Sequence, residues 1–329
     1  MPTLFPHVPL ALLGLAAGLS AQNIQASLTA LQPLTLNQAN VGTVTHPAGP
    51  LTSANLSLGT SSVTVNLAQT TLGHSLSTYL DCDFAQGANY YTASTDLELT
   101  LSASLPTRAT LRIYTFCGDD GGGSVDIDVP GYGSITFYNG SSFGERHYDH
   151  FLVDLTTTGL PITITQASGG FQAGRSLVSL AIEEWSPLAS PTASGCGGLF
   201  YTGNPSYPVY QGDHFLDLVD NANPTISGTL RADAFGQFSS YVLSFQPTQA
   251  PLQLPAPFSA SCPILSNAPV LVAGFETDNF GLPTAWEVDL PVLPAGLTFY
   301  AQHACAKVTT TAIPGNTLWN TSNVVRIDT

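Results

Sequence analysis

Positive charge is what this chain has least of. Its 329 residues include 7 Lys plus Arg against 22 Asp plus Glu, Lys307 is the only lysine, and the formal net charge is −15. Such a field repels phosphate backbones and anionic lipid surfaces, which argues against nucleic acid and membrane partners and leaves cations or neutral glycans as better matches. A plainer use of the acids is solubility outside a cell. CxxC pairs are missing too, so zinc-ribbon and thioredoxin-like redox chemistry have no basis. A helical period appears nowhere, and charged residues of both signs make up only 9%. After residue 21 no apolar run is long enough to span a bilayer, the chain closes on NVVRIDT, and no lipid-accepting Cys follows residue 21.

What is present begins with an export pattern. Residues 1–21, MPTLFPHVPLALLGLAAGLSA, carry an apolar run from Val8 to Leu19 that is too short for a membrane span. Small residues Gly18, Ser20 and Ala21 follow as a processing site before Gln22. The segment departs from the usual pattern in having no Lys or Arg, only His7 and the amino terminus. It predicts a soluble protein that works outside the cytosol.

Hydrophobic residues make up 43% of the chain, and 30 Gly and 24 Pro punctuate it, a composition that suits short strands joined by many turns. In Asp96–Leu105, DLELTLSASL, the leucines alternate with Glu98, Thr100, Ser102 and Ser104, the period of a half-buried strand. Ala109–Phe116 repeats the pattern after Pro106, Thr107 and Arg108, which predicts an antiparallel hairpin. Further runs follow at Ser124–Val129, Ser134–Tyr138, Tyr148–Leu155, Pro161–Thr165 and Leu177–Ile182. So many amphipathic strands require two facing sheets, since a single open sheet would leave one apolar face wet. The expected architecture is all-β: two antiparallel β-sandwich domains, the first of jelly-roll type over residues 22–186 and the second Ig-like over residues 195–329. SPLASPTAS, residues 186–194, lacks alternation, and residues 187–194 read as the linker between them.

Five cysteines, Cys82, Cys117, Cys196, Cys262 and Cys305, lie far apart, and export makes disulfides the default. Cys82 and Cys117 share the first half and are expected to pair there. One of the three in the second half is left over.

SGCGG at Ser194, PVYQGDHFLDLVDNA, SCPIL at Ser261, TDNFG at Thr277, DLPVLPAGLTFYAQ and the closing SNVVRI together resemble a C-terminal β-sandwich domain carried by exported proteins of planctomycete-type bacteria. The resemblance covers residues 194–329 and rests on Gly, Pro and Cys punctuation plus core alternation, so it implies location and fold but no activity. It also implies a disulfide between Cys196 and Cys262. Cys305 falls where the pattern has no cysteine.

Chemistry could reside in four places. Gly140–Gly144, GSSFG, matches the G-x-S-x-G pattern of serine hydrolases, but strand-like flanks replace the strand–turn–helix that would lift Ser142 beside a base such as His147, so a Gly-rich hairpin turn explains the match. ERHYDH at Glu145–His150 puts His147 and Asp149 on one strand face, with Tyr148 and His150 on the other, too few ligands for a closed metal site. Asp119, Asp120, Asp126 and Asp128 offer hard oxygens for calcium around a Gly-rich turn, against the alternative of an acidic hairpin that keeps a strand edge soluble. Tyr201, Tyr207 and Tyr210 crowd a Gly/Pro loop where exposed rings could stack on sugars, although packing is the commoner use of such rings. Trp185, Trp286 and Trp319 read as core or inter-domain plugs. The combined expectation is a non-enzymatic binding or structural protein at the cell exterior that recognises glycans or surface proteins. Its rival is an extracellular esterase or glycan-degrading hydrolase with an accessory C-terminal domain.

Overall fold

The computed structural model describes residues 23–39, 41–82, 91–118, 122–139, 145–170, 174–193, 198–200, 210–212, 214–221, 223, 225–234, 238–247, 249–251, 263–265, 269–276, 284–308 and 317–329. Every regular element among them is a strand, as the two-residue alternation requires. The first half holds β1 (Ile24–Ala30), β2 (Leu34–Gln38), β3 (Gly42–His46), β4 (Gly49–Leu51), β5 (Ser53–Leu58), β6 (Ser61–Gln69), β7 (Gly73–Cys82), β8 (Tyr91–Ala103), β9 (Thr107–Gly118), β10 (Gly123–Val129), β11 (Gly133–Asn139), β12 (Glu145–Leu155), β13 (Leu160–Gly170) and β14 (Gly174–Glu184). The second half holds β15 (Ala189–Ala193), β16 (Gly198–Phe200), β17 (Tyr210–Gly212), β18 (Leu216–Val219), β19 (Ile226–Ala234), β20 (Phe238–Ser244), β21 (Gln249–Pro251), β22 (Pro263–Leu265), β23 (Pro269–Glu276), β24 (Thr284–Pro291), β25 (Thr298–Val308), β26 (Thr317–Thr321) and β27 (Val324–Asp328).

Two eight-stranded sheets face each other, built from the strands of the first half together with β16 and β17 at one edge. Sheet A runs β11-β10-β13-β8-β1-β4, with β2 beside β8 and β3 beside β2; sheet B runs β16-β17-β12-β9-β14-β7-β6-β5. Leu97, Leu99, Leu101, Ile127, Ile162 and Ile164 of sheet A meet Val63, Val65, Leu76, Leu80, Leu111, Ile113, Val178 and Leu180 of sheet B in one cluster, all buried. Each such side chain contributes about 1.5–3 kcal/mol on leaving water, which is why alternation dictates the register. The Val129-Pro130-Gly131-Tyr132 turn joins β10 to β11. Pro130 presets its own φ, Gly131 takes φ 83°, and the Tyr132 amide donates to the Val129 carbonyl at 2.9 Å.

The expected hairpin at Pro106–Arg108 does not form. β8 pairs with β13, β1 and β2, whereas β9 pairs with β12 and β14, so the chain crosses here from one sheet to the other. Two strands with buried leucines on one face can meet side by side or face to face, and periodicity alone does not distinguish the two. The segment expected as a linker is likewise ordered: Ala189–Ala193 is β15, an edge strand paired with β27.

The expected Cys82–Cys117 disulfide is also corrected, because both residues are buried and no disulfide joins them. β14 lies between their strands, with Gly174 opposite Cys82 and Ser176 opposite Cys117. Two strand spacings combined with a two-residue offset put their Cα atoms about 12 Å apart, well beyond the reach of about 7 Å that a disulfide allows. Cys196 and Cys262 lie outside the described residues.

The second half builds a sheet in the order β15-β27-β25-β20-β23, with β26 beside β25, and the smaller sheets β18-β19-β24 and β21-β22. Trp185, Phe215, Leu216, Leu218, Leu230, Leu243, Phe299 and Val325 form its principal buried cluster. This unit packs on the outer face of sheet B. Trp185 bridges to Val219, its indole Nε1 donates to Thr110 Oγ1 at 2.5 Å, and His150 of β12 stacks on Phe215 at 3.9 Å between ring centroids. A buried ion network crosses the junction. Arg112 reaches Glu183 at 3.0 Å and Asp217 at 2.7 Å, and Arg231 also pairs with Glu183. No helix among the described residues is long and apolar enough to cross a membrane.

Candidate functional site

Covering sheet B leaves the outer face of sheet A as the broad solvent-facing surface of the first unit. Because the inward positions of β10 are Val125, Ile127 and Val129, its outward ones are Ser124, Asp126 and Asp128. The same alternation turns Ser94, Asp96, Glu98 and Thr100 outward from β8 and Thr163, Thr165 and Ala167 outward from β13. Register then arranges these residues in rows across the strands. Thr136, Asp126, Thr165 and Asp96 form one row, and Ser134, Asp128, Thr163 and Glu98 form the next. Thr165 donates to Asp96 and Thr100 to Glu98, each at 3.3 Å.

One row nearer the strand ends, Tyr138, Ser124, Ala167 and Ser94 stand in register beside a groove of about 320 Å³. Ala167, Gly169 and Gly123 give the groove a floor without bulk, Ser124, Ser94 and Thr92 carry hydroxyls along it, and Tyr138 rises at one side with 74% of its surface exposed. The glycine at 169 follows from close packing: with φ 155°, a Cβ there would lie 2.4 Å from the Tyr91 carbonyl oxygen. A flat aromatic ring beside small residues and hydroxyls is suited to a ligand with one apolar face and hydroxyls at its edge.

The charge on this face is one-sided. Arg108 and Arg112 lie on β9, Arg146 on β12, Arg175 on β14, Arg231 on β19, Lys307 on β25 and Arg326 on β27, so all seven basic residues belong to strands outside sheet A. Among them Arg108 pairs with Asp154, Arg175 with Asp81 and Arg326 with Asp328.

Of the expected calcium ligands, Asp126 and Asp128 are exposed on β10, about 7 Å apart along the strand, while Asp119 and Asp120 lie outside the described residues. No group of three or more His, Cys, Asp or Glu side chains that could hold a metal ion occurs among the described residues. Tyr201 and Tyr207 lie outside the described residues, and the Tyr210 backbone pairs with Arg146 in β17–β12. Ser142 is likewise outside them. His147 packs against Phe137 at 4.0 Å between ring centroids, and Tyr148 packs against Tyr114 at 4.7 Å on the other strand face.

Sequence reasoning passed over Tyr138, although a signal for it existed. In SITFY, Ile135 and Phe137 alternate with Ser134, Thr136 and Tyr138, which places a large ring on the wet face of a strand. A second feature it missed is a buried imidazole pair, His214 Nε2 and His303 Nδ1 at 2.6 Å. Burial, and then the neighbouring His214, hold the His303 pKa well below the usual imidazole range.

Compared with models of known protein families the chain matches none, and no curated protein matches it in sequence.

Proposed function

We propose that this is an exported, non-enzymatic protein that binds glycans at the cell exterior through the outer face of sheet A. The observation that carries the reading is the asymmetry of the two sheets. Sheet B gives its outer face to the C-terminal unit, whereas sheet A presents a hydroxyl-rich surface with a groove and an exposed aromatic ring. A flat face of this kind offers a ring and hydroxyls at fixed spacing without ordering any loop, which keeps the entropic cost of binding low. The export segment and the shortage of basic residues fit the same setting.

The test combines a glycan array with a hydrolysis panel of ester and polysaccharide substrates, both run on the purified protein. Retention of at least one glycan class with no turnover supports the reading. Turnover abolished by Ser142→Ala, or no glycan retained at all, overturns it.

A further inference from the structure

Resting on that reading, we propose that the groove beside Tyr138 seats one sugar ring of an uncharged or amine-bearing polysaccharide, and that the adjoining carboxylates exclude polyanionic glycans.

The groove lies on the face of the sheet. A peptide that recognised this sheet by strand addition would instead use the backbone groups of the edge strand β11. On the face those groups are engaged in the β10–β11 and β10–β13 ladders, so only side chains can contact a ligand. The side chains present are the Tyr138 ring, the Ala167 methyl and the hydroxyls of Ser94, Ser124 and Thr92. These match a pyranose, which offers C–H bonds to a ring and hydroxyls to polar neighbours. The volume of about 320 Å³ stands at the small end of ligand sites and suits one ring of a longer chain that continues along the face.

The charge preference follows from register. A chain leaving the groove along the strands crosses the row containing Asp126 and Asp96, then the row containing Asp128 and Glu98. Rows recur about every 7 Å along the strands, so the four carboxylates lie within roughly one or two Debye lengths of one another at physiological salt. Uronate or sulfate groups would be repelled there, and no basic residue of sheet A offsets that repulsion. Neutral sugars meet no such barrier, and protonated amines gain from the same field.

Titration calorimetry on the full-length protein tests this with cellohexaose, a glucosamine hexamer and polygalacturonate as probes. The expected order is glucosamine hexamer tighter than cellohexaose, with no detectable heat from polygalacturonate. Tyr138→Ala, at a site too exposed to threaten folding, weakens both binders about tenfold. The double variant Asp126→Asn, Asp128→Asn leaves cellohexaose within about twofold and lowers the preference for the amine-bearing hexamer about fivefold, an effect that shrinks in 0.5 M salt. Binding of either hexamer that ignores Tyr138→Ala refutes the groove while leaving glycan recognition standing. Polygalacturonate binding as tight as cellohexaose refutes the charge selection. Absence of any glycan binding refutes both this inference and the reading beneath it, and polylysine binding that is tight and independent of Tyr138 reassigns the face to basic proteins.

Discussion

Replacing Arg112 by Met tests how the two halves are joined. Arg112 is 6% exposed, Glu183 2% and Asp217 not at all, so Arg112 offsets two buried carboxylates, while the partly exposed Arg231 pairs with Glu183 and with the half-exposed Glu287. Met keeps most of the aliphatic stem but leaves one carboxylate in excess. The cheapest relief is for a buried carboxylate to take up a proton. From a reference pKa near 3.9 that costs about 4 kcal/mol at pH 7 and about 1.5 kcal/mol at pH 5, and the pH 7 value falls in the range of about 3–5 kcal/mol for breaking a buried pair. Arg112→Met should therefore lose about 4 kcal/mol relative to the parent at pH 7 and markedly less at pH 5. Urea unfolding followed by tryptophan fluorescence reads this directly, because Trp185 sits in the adjoining cluster. Adding Asp217→Leu should restore most of the loss by removing the surplus charge together with its desolvation cost. A loss below about 1 kcal/mol at pH 7, or one equal at both pH values, would show that the network is solvated and would refute the reasoning.

Two further outcomes follow from groups buried elsewhere. Burial pushes the Cys82 thiol from 9.0 up to about 11, with Asp81 adding to the shift and a Ser168 hydrogen bond opposing it. Iodoacetamide at pH 8 should leave Cys82 unmodified in the native protein and alkylate it in urea, read by peptide mass spectrometry; native labelling, or a Cys82–Cys117 cystine, would contradict the fold. The pKa of His303 in the folded state lies below its unfolded value, so the unfolded chain takes up the proton first as pH falls. The stability tied to His303 is then complete above about pH 6.5 and declines below it at up to about 1.4 kcal/mol per pH unit, and His303→Gln should flatten the profile between pH 7 and 5. An unchanged slope would remove His303 as the source.

The alternation that predicts strands is a local property, and it carried where only local information was needed. Asp96–Ala103 of DLELTLSASL lies within β8 with Leu97, Leu99 and Leu101 buried, as its period of two requires, whereas Leu105 falls past the end of the strand and is exposed. It failed where the answer depended on what lies across a face. Arg112 alternates with Leu111 and Ile113 and reads as a wet position, yet it is buried because the C-terminal unit covers sheet B. Cys82 and Cys117 share the first half of the sequence, but pairing depends on strand order, and β14 separates them. The candidate groove combines residues of β8, β10, β11 and β13, whose adjacency is set by register and is invisible in any single segment.

The shortage of basic residues acquires a meaning from this placement that composition alone does not give. Charges kept only for solubility would be scattered and of mixed sign on every face. Here the arginines concentrate on sheet B and at the junction, where Arg112 and Arg231 lock the C-terminal unit down, while Asp96, Glu98, Asp126 and Asp128 share a face without one basic residue in its strands. Like charges on neighbouring rows repel, so this distribution costs some stability, and hydroxyls such as Thr165 on Asp96 offset only part of it. A face that holds the same strand propensity, the same Ser and Thr, and neutral Asn in place of Asp would fold at least as well. The carboxylates thus cost the fold some stability, a distribution that fits the charge selection proposed for that face.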